Sequence, residues 1–123
     1  MKHLVIAGGG FAGARLARLL GKQKGLNITL INDSPDFRYS PALYRTVTGI
    51  KLGTARLPLE WMLLDANNVN IITGRVKKIH KESKRIKLED GQTIDYDYAV
   101  LALGSVTTYF GISGLDNHSF GVK

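Results

Sequence analysis

His3-Leu4-Val5-Ile6-Ala7-Gly8-Gly9-Gly10-Phe11-Ala12-Gly13-Ala14-Arg15-Leu16-Ala17-Arg18-Leu19-Leu20 is the stretch on which the fold turns. Its apolar opening is continuous rather than alternating, as in a parallel strand covered on both faces. Gly8-x-Gly10-x-x-Gly13 follows at once. Beyond it Leu16, Leu19 and Leu20 share one helical face, with Ala17 beside them and both arginines elsewhere. Gly21 and Gly25 read as helix stops, and Ile28-Thr29-Leu30-Ile31 as a second strand. Strand, glycine turn, helix and strand within about thirty residues make a right-handed crossover unit.

The three spaced glycines have separate physical tasks. The first permits a tight turn, the second lets a pyrophosphate approach the backbone, and the third lets helix pack on strand. A helix N-terminus adds unpaired N–H groups and about half a positive charge, which suits a diphosphate. The spacing alone would serve packing equally well; its place between a strand and a helix points to a nucleotide. Such a site also wants a ribose partner about 20 residues on, at the end of the second strand. That place holds Asn32 followed by Asp33. Adjacent strand residues point to opposite sides, so only one can face the ribose while the strand stays extended. Asn32 is the expected contact, with one amide oxygen as acceptor; Asp33 takes over if the strand ends a residue early.

Past Asp33-Ser34-Pro35-Asp36, a turn, Phe37 to Pro41 reads as extended and Ala42 to Val47 as a helical turn ending at Gly49. Leu59 to Leu64 is apolar nearly all round and reads as a short buried helix, with Pro58 at its first turn. Val69 to Thr73 is a third strand. Arg75 to His80, Arg85 to Glu89 and Thr93 to Asp95 form a three-stranded antiparallel meander, about 74–96, with Ile86 and Leu88 inward. Tyr98 to Ala102 returns to the buried parallel type, and the tail around Phe110 to Gly114 shows no regular pattern. The fold class expected is α/β, one Rossmann-type parallel sheet carrying an inserted antiparallel meander.

With 123 residues, 44% hydrophobic and 22% charged, the chain has the size and composition of one ordinary globular domain. It contains no cysteine, which excludes disulfides, thiolate metal sites and a redox dithiol within it. With no signal peptide pattern either, a cytosolic location is expected. No apolar stretch approaches the ~20 residues of a membrane span. His3, His80 and His118 are not spaced as metal ligands and read as surface or turn positions; no metal site is expected. The net charge of +7 is concentrated in Arg75, Lys77, Lys78, Lys81, Lys84, Arg85 and Lys87. The solvated face of a hairpin is the favoured reading, and attraction to an anionic membrane surface is the alternative. Nucleic acid is not expected, since no recognised binding motif accompanies the charge.

The sequence also resembles the amino-terminal part of type II NADH dehydrogenases. The resemblance runs through Val5 to Gly13, Thr29-Leu30-Ile31-Asn32, Pro41-Ala42-Leu43-Tyr44 with Thr48-Gly49, Gly74-Arg75-Val76 and Leu88-Glu89-Asp90-Gly91. Its most specific part is Tyr96 to Ser105, followed by Phe110-Gly111-Ile112-Ser113-Gly114. It implies that residues 1–123 are the amino-terminal part of an FAD-binding domain. Gly8, Gly10, Phe11, Ala12 and Gly13 would hold the FAD pyrophosphate, and Asn32 or Asp33 the ribose. Val76 would present its backbone to the adenine, and Ala102, Leu103 and Gly104 would close over the nucleotide. Phe37 to Pro41 and Thr48-Gly49 would run towards the flavin ring. NADH and a quinone are implied as co-substrates of the full-length family, with the NADH site outside this chain, at the cytoplasmic face of a membrane. No catalytic acid, base or nucleophile is assigned, because the flavin does the hydride chemistry.

For residues 1–123 alone the expectation is little retained flavin, no turnover, and association between copies that covers exposed apolar surface. Three other readings compete. Sulfide:quinone reductases share the opening; their cysteines are absent from residues 1–123, but those that lie further along that family's chain fall outside this stretch, so the reading is excluded only in part. A short-chain dehydrogenase pattern fails at Ala7 and lacks Tyr-x-x-x-Lys. A non-catalytic nucleotide-binding module stays open.

Overall fold

The computed structural model describes residues 1–49 and 55–121. Strand β1 (Lys2–Ala7) leads through the glycine turn into helix α1 (Phe11–Leu20), and β2 (Leu26–Asn32) follows. A three-residue strand β3 (Asp36–Arg38) comes next, then a 3-10 turn at Ser40–Ala42 and α2 (Leu43–Val47). Strand β4 (Arg56–Pro58) runs directly into α3 (Leu59–Met62), and β5 (Val69–Thr73) completes the first half. The second half holds β6 (Val76–His80), β7 (Arg85–Leu88), β8 (Thr93–Asp95), β9 (Tyr98–Leu101) and the short helix α4 (Leu115–His118).

The main sheet has four strands in the order β5-β2-β1-β9, and β6-β7-β8 form a three-stranded sheet. Every neighbour in the main sheet is parallel, with Val5 level with Thr29 and Ala99. The meander is antiparallel. This is the α/β class expected, a parallel sheet with an antiparallel insertion. Strand β4 was not anticipated; it pairs antiparallel with β3, Phe37 level with Leu57.

Alternation along β1 and β2 divides the core in two. Leu4, Ile6, Ile28 and Leu30 face Ala14 and Ala17 of α1, together with Leu59, Leu63 and Ala66. Val5 and Ile31 face the other way, onto Ile86, Leu88 and Ile94 of the meander. The molecule is therefore three layers: helices, parallel sheet, meander. Because β1 and β2 are covered on both faces, their sequences read as unbroken apolar runs.

Four sequence expectations need correction. The buried side of α1 is Gly13, Ala14 and Ala17, while Leu19 is 57% exposed. Small residues lie against the sheet, so the backbones approach closely and the leucines flank the contact. Helix α3 is not buried all round: Leu59 and Leu63 are inside, but Trp61 and Leu64 are 66% and 76% exposed. Strand β9 forms at the expected place yet is open, with Tyr98 and Leu101 58% and 57% exposed. Among the described residues it is the sheet's edge, with β1 as its one paired neighbour in the main sheet. His3 is no surface residue either. Its ring is within hydrogen-bonding distance of the Thr29 hydroxyl (2.8 Å), across the two central strands.

Asp97 fastens the start of β9 to β1. The His3 N–H donates to one carboxylate oxygen at 2.7 Å and the Lys2 ammonium to the other at 3.0 Å. These contacts, the backbone N–H foremost, hold the Asp97 carboxyl below its ordinary range, and Asp97 raises Lys2 in return. Among the described residues no helix is long and apolar enough to cross a membrane, and no cluster of three potential metal ligands occurs.

Candidate functional site

The glycine turn lies at the carboxyl end of β1, where the chain order reverses: β2 and β5 lie to one side, β9 to the other. In open α/β sheets, ligands bind in the crevice at such a switch point. Each glycine meets a distinct demand. Gly8 sits at φ +108°, and a Cβ there would run into the Ala102 carbonyl. Gly13 lies beneath the turn, where a Cβ would collide with the Gly8 carbonyl. Gly10 differs: a Cβ would meet nothing within 4 Å. The fold does not need Gly10 bare, but a group approaching the backbone from the crevice would.

The amides of the turn are divided between protein and crevice. Gly8 N–H donates to the Ile31 carbonyl (2.7 Å) and Gly9 N–H to Asn32 Oδ1 (2.8 Å). The first helical bond is from Ala14 N–H to the Gly10 carbonyl, 2.9 Å. The amides of Gly10 to Gly13 therefore have no intrahelical partner. Gly10 caps α1 with no side-chain hydrogen bond. Unpaired donors and the positive pole of a ten-residue helix thus meet at one point.

Two adjoining cavities open here. The larger, about 680 Å³, is lined by Gly8, Gly10, Phe11, Ala12, Asn32, Asp33, Ala102, Leu103 and Gly104 among others. The smaller, about 330 Å³, is lined by Val76 and Glu89 and shares Gly8, Asn32, Asp33, Arg75 and Leu103 with the first. Every site residue proposed from sequence thus borders one or both, except Gly13, which is buried under the turn. Three of the lining residues that sequence reading did not single out as contacts are Gly9, Arg38 and Arg75. Gly9 is in the motif but carries no part of its pattern. Arg38 and Arg75 reach the larger cavity beside Asp33 and Asp36. Arg75 was grouped with the basic hairpin, although it stands between Gly74 and Val76 at the crevice. Phe11 packs edge-on against Phe37, ring centroids 5.1 Å apart, and tilted against Tyr39 at 5.8 Å. The first residue of α1 thereby braces β3 and the residue that follows it.

A third cavity, about 500 Å³, lies at the other end of α1 between Gly21 to Lys24 and Leu64 to Asn68. There the helix presents carbonyl groups, which repel an anion.

Comparison with known proteins agrees with this geometry. Residues 2–123 match the family described as pyridine nucleotide-disulphide oxidoreductase. The chain belongs to that family. It is 32% identical, over 99% of its length, to a type II NADH:quinone oxidoreductase of Staphylococcus epidermidis, of which it spans 31%. It is 33% identical, over 96% of its length, to a sulfide-quinone reductase of Aquifex aeolicus, of which it spans 27%. Among solved structures, the Aquifex aeolicus sulfide:quinone oxidoreductase superposes with a TM-score of 0.82 over 97% of this chain and 28% of its own. NDH2 of Plasmodium falciparum, solved with NADH, gives 0.82 at 24% identity over 99% of this chain and 26% of its own, a likeness of fold. The family is one of oxidoreductases, as the resemblance read from sequence had it.

Proposed function

We propose that this chain is the FAD-binding portion of a flavoprotein that moves electrons from NADH through FAD to a quinone. The observation that carries the proposal is the turn itself. Unpaired amides at the head of α1, a bare Gly10 and two joined cavities meet at the switch point of a parallel sheet. A diphosphate fits where the amides of Gly10 to Gly13 converge, and an adenosine fits the smaller cavity, against Val76 and Leu103. Bound there, FAD would supply the hydride-accepting ring. The chain's own part is to bind and orient: amides and helix pole on the phosphates, Asn32 and Asp33 near the ribose, and the Ala102 to Gly104 segment over the nucleotide. No residue of the chain is assigned as a catalytic acid, base or nucleophile.

The choice of NADH and quinone rests on the Staphylococcus epidermidis relative, whose name carries both. A second reading has sulfide as the electron donor, and the Aquifex aeolicus relative favours it. The two share a quinone acceptor. A quinone substrate would place the whole protein at the inner face of the cytoplasmic membrane, as a peripheral protein.

The test is a titration of the purified chain with FAD and, separately, with NADH, followed by fluorescence. The expected result is little flavin as purified, saturable FAD binding with a Kd of about 10 μM, and no response to NADH. NADH binding without FAD binding would overturn the proposal. Robust NADH:quinone turnover by these 123 residues would contradict the division of labour.

A further inference from the structure

Asn32 stands where the dinucleotide fingerprint expects a carboxylate, and its surroundings explain the amide. Three groups converge on its side chain. Gly9 N–H donates to Oδ1 at 2.8 Å, while Nδ2 donates to the Ser34 carbonyl at 2.8 Å and the Asp36 carbonyl at 3.3 Å. One donor and two acceptors face the residue. An amide answers all three; a carboxylate has no hydrogen for either carbonyl. Gly9 belongs to the same device. A Cβ there would come within 2.9 Å of Asn32 Cγ and of Leu59 Cδ1. A residue outside the spaced glycine pattern is thus a glycine so that Asn32 can reach its amide.

We infer that Asn32 is a positioning residue: its neutral amide locks the glycine turn to the β2–β3 connection and keeps negative charge away from the diphosphate, leaving the ribose hydroxyls to Asp33. The inference rests on the nucleotide reading above. Both hydrogens of Nδ2 and one lone pair of Oδ1 are already engaged. Asp33 is exposed, lines both cavities, and makes no side-chain hydrogen bond or ion pair with another described residue. A free carboxylate accepts from both ribose hydroxyls with charge assistance, whereas Asn32 has little left to offer. Rigidity and charge are then assigned to neighbouring positions. Asn32 fixes which turn amides point to the crevice, and Asp33 carries the charge on the ribose side.

FAD titrated into the chain and followed by flavin fluorescence tests this, with Asn32→Asp, Asn32→Ala and Asp33→Asn beside the unaltered protein. Thermal melting checks that each is folded. Asn32→Asp keeps the shape and the acceptor for Gly9 but adds a charge beside the phosphates. Its affinity should fall about tenfold at low salt, and much of the deficit should vanish as ionic strength rises from about 0.02 M to about 0.5 M. Asn32→Ala removes the clip without adding charge, so its deficit should not respond to salt. Asp33→Asn should lose about tenfold through the ribose contact. In the unliganded chain, amide hydrogen exchange at Gly9 should quicken in Asn32→Ala, a readout independent of any cofactor.

If the unaltered chain binds FAD while Asn32→Asp binds it equally well at low salt, the inference is overturned and the nucleotide reading stands. Unchanged binding by Asp33→Asn, or unchanged exchange at Gly9, would overturn it too. No FAD binding by the unaltered chain would remove the nucleotide reading, and this inference with it.

Discussion

Gly10 and Gly13 lie three residues apart in one turn, yet a methyl group at each should act in opposite ways. At Gly13 it has no room beneath the Gly8 carbonyl. Gly13→Ala should therefore destabilise the chain by roughly 3 kcal/mol, measured by urea unfolding. At Gly10 it projects into open space, from an extended backbone that any residue can adopt. Gly10→Ala should cost less than about 1 kcal/mol of stability while weakening FAD binding at least about tenfold, read by melting and titration together. The spaced glycines were legible in sequence because their pattern is fixed by covalent geometry. The role of Gly9 was not, since it depends on a side chain 23 positions away meeting its amide. The amide at position 32 likewise looked like a weakened ribose contact until its three partners were in view.

Elements follow their local pattern where the period itself names the covered face, and depart from it where a continuous apolar run leaves one side open. The meander reads correctly because Ile86 and Leu88 alternate with Arg85 and Lys87, and a period of two has one solution. Ile86 and Leu88 are fully buried against Val5 and Ile31. Ile86→Ala should lose about 2–5 kcal/mol in denaturant unfolding, against less than about 0.5 kcal/mol for Lys87→Ala. Helix α3 and strand β9 misled for one reason: an apolar run says that a segment can be covered, not that it is. The tie between β1 and β9 makes a pH prediction. Asp97 is held below its ordinary range, so its share of stability is present above that range and fades as pH falls through the lowered value. Lys2, raised, contributes below its ordinary range and loses its share as pH climbs through the raised value. Asp97→Asn should flatten the melting temperature against pH below about pH 4, where the unaltered chain declines.

At the scale of these 123 residues, the edge that β9 presents among the described residues matters most. Tyr98, Leu101 and Leu103 present apolar side chains on and just beyond a strand with one free side, each 57–65% exposed. Such an edge invites pairing with another copy, and a single lysine is a common way to prevent it. Concentration-dependent association should appear in light scattering and be reduced by Leu101→Lys. The α/β class, a parallel sheet with an antiparallel meander, was readable from continuous runs in the central strands, a helical period after the turn and alternation in the meander. That the meander covers Val5 and Ile31 as a third layer was not, since the two segments lie more than fifty residues apart in the chain. The joining of two cavities across the switch point was not readable, since residues from 8 to 104 must meet in space to make it. The central claim is that a diphosphate is gripped by the first-turn amides of α1. Amide NMR shifts on adding FAD test it most directly. The account predicts the largest changes at Gly10, Phe11, Ala12 and Gly13, with Val76 and Leu103 following. Changes confined to the cavity between Gly21 and Asn68, with the turn silent, would contradict it.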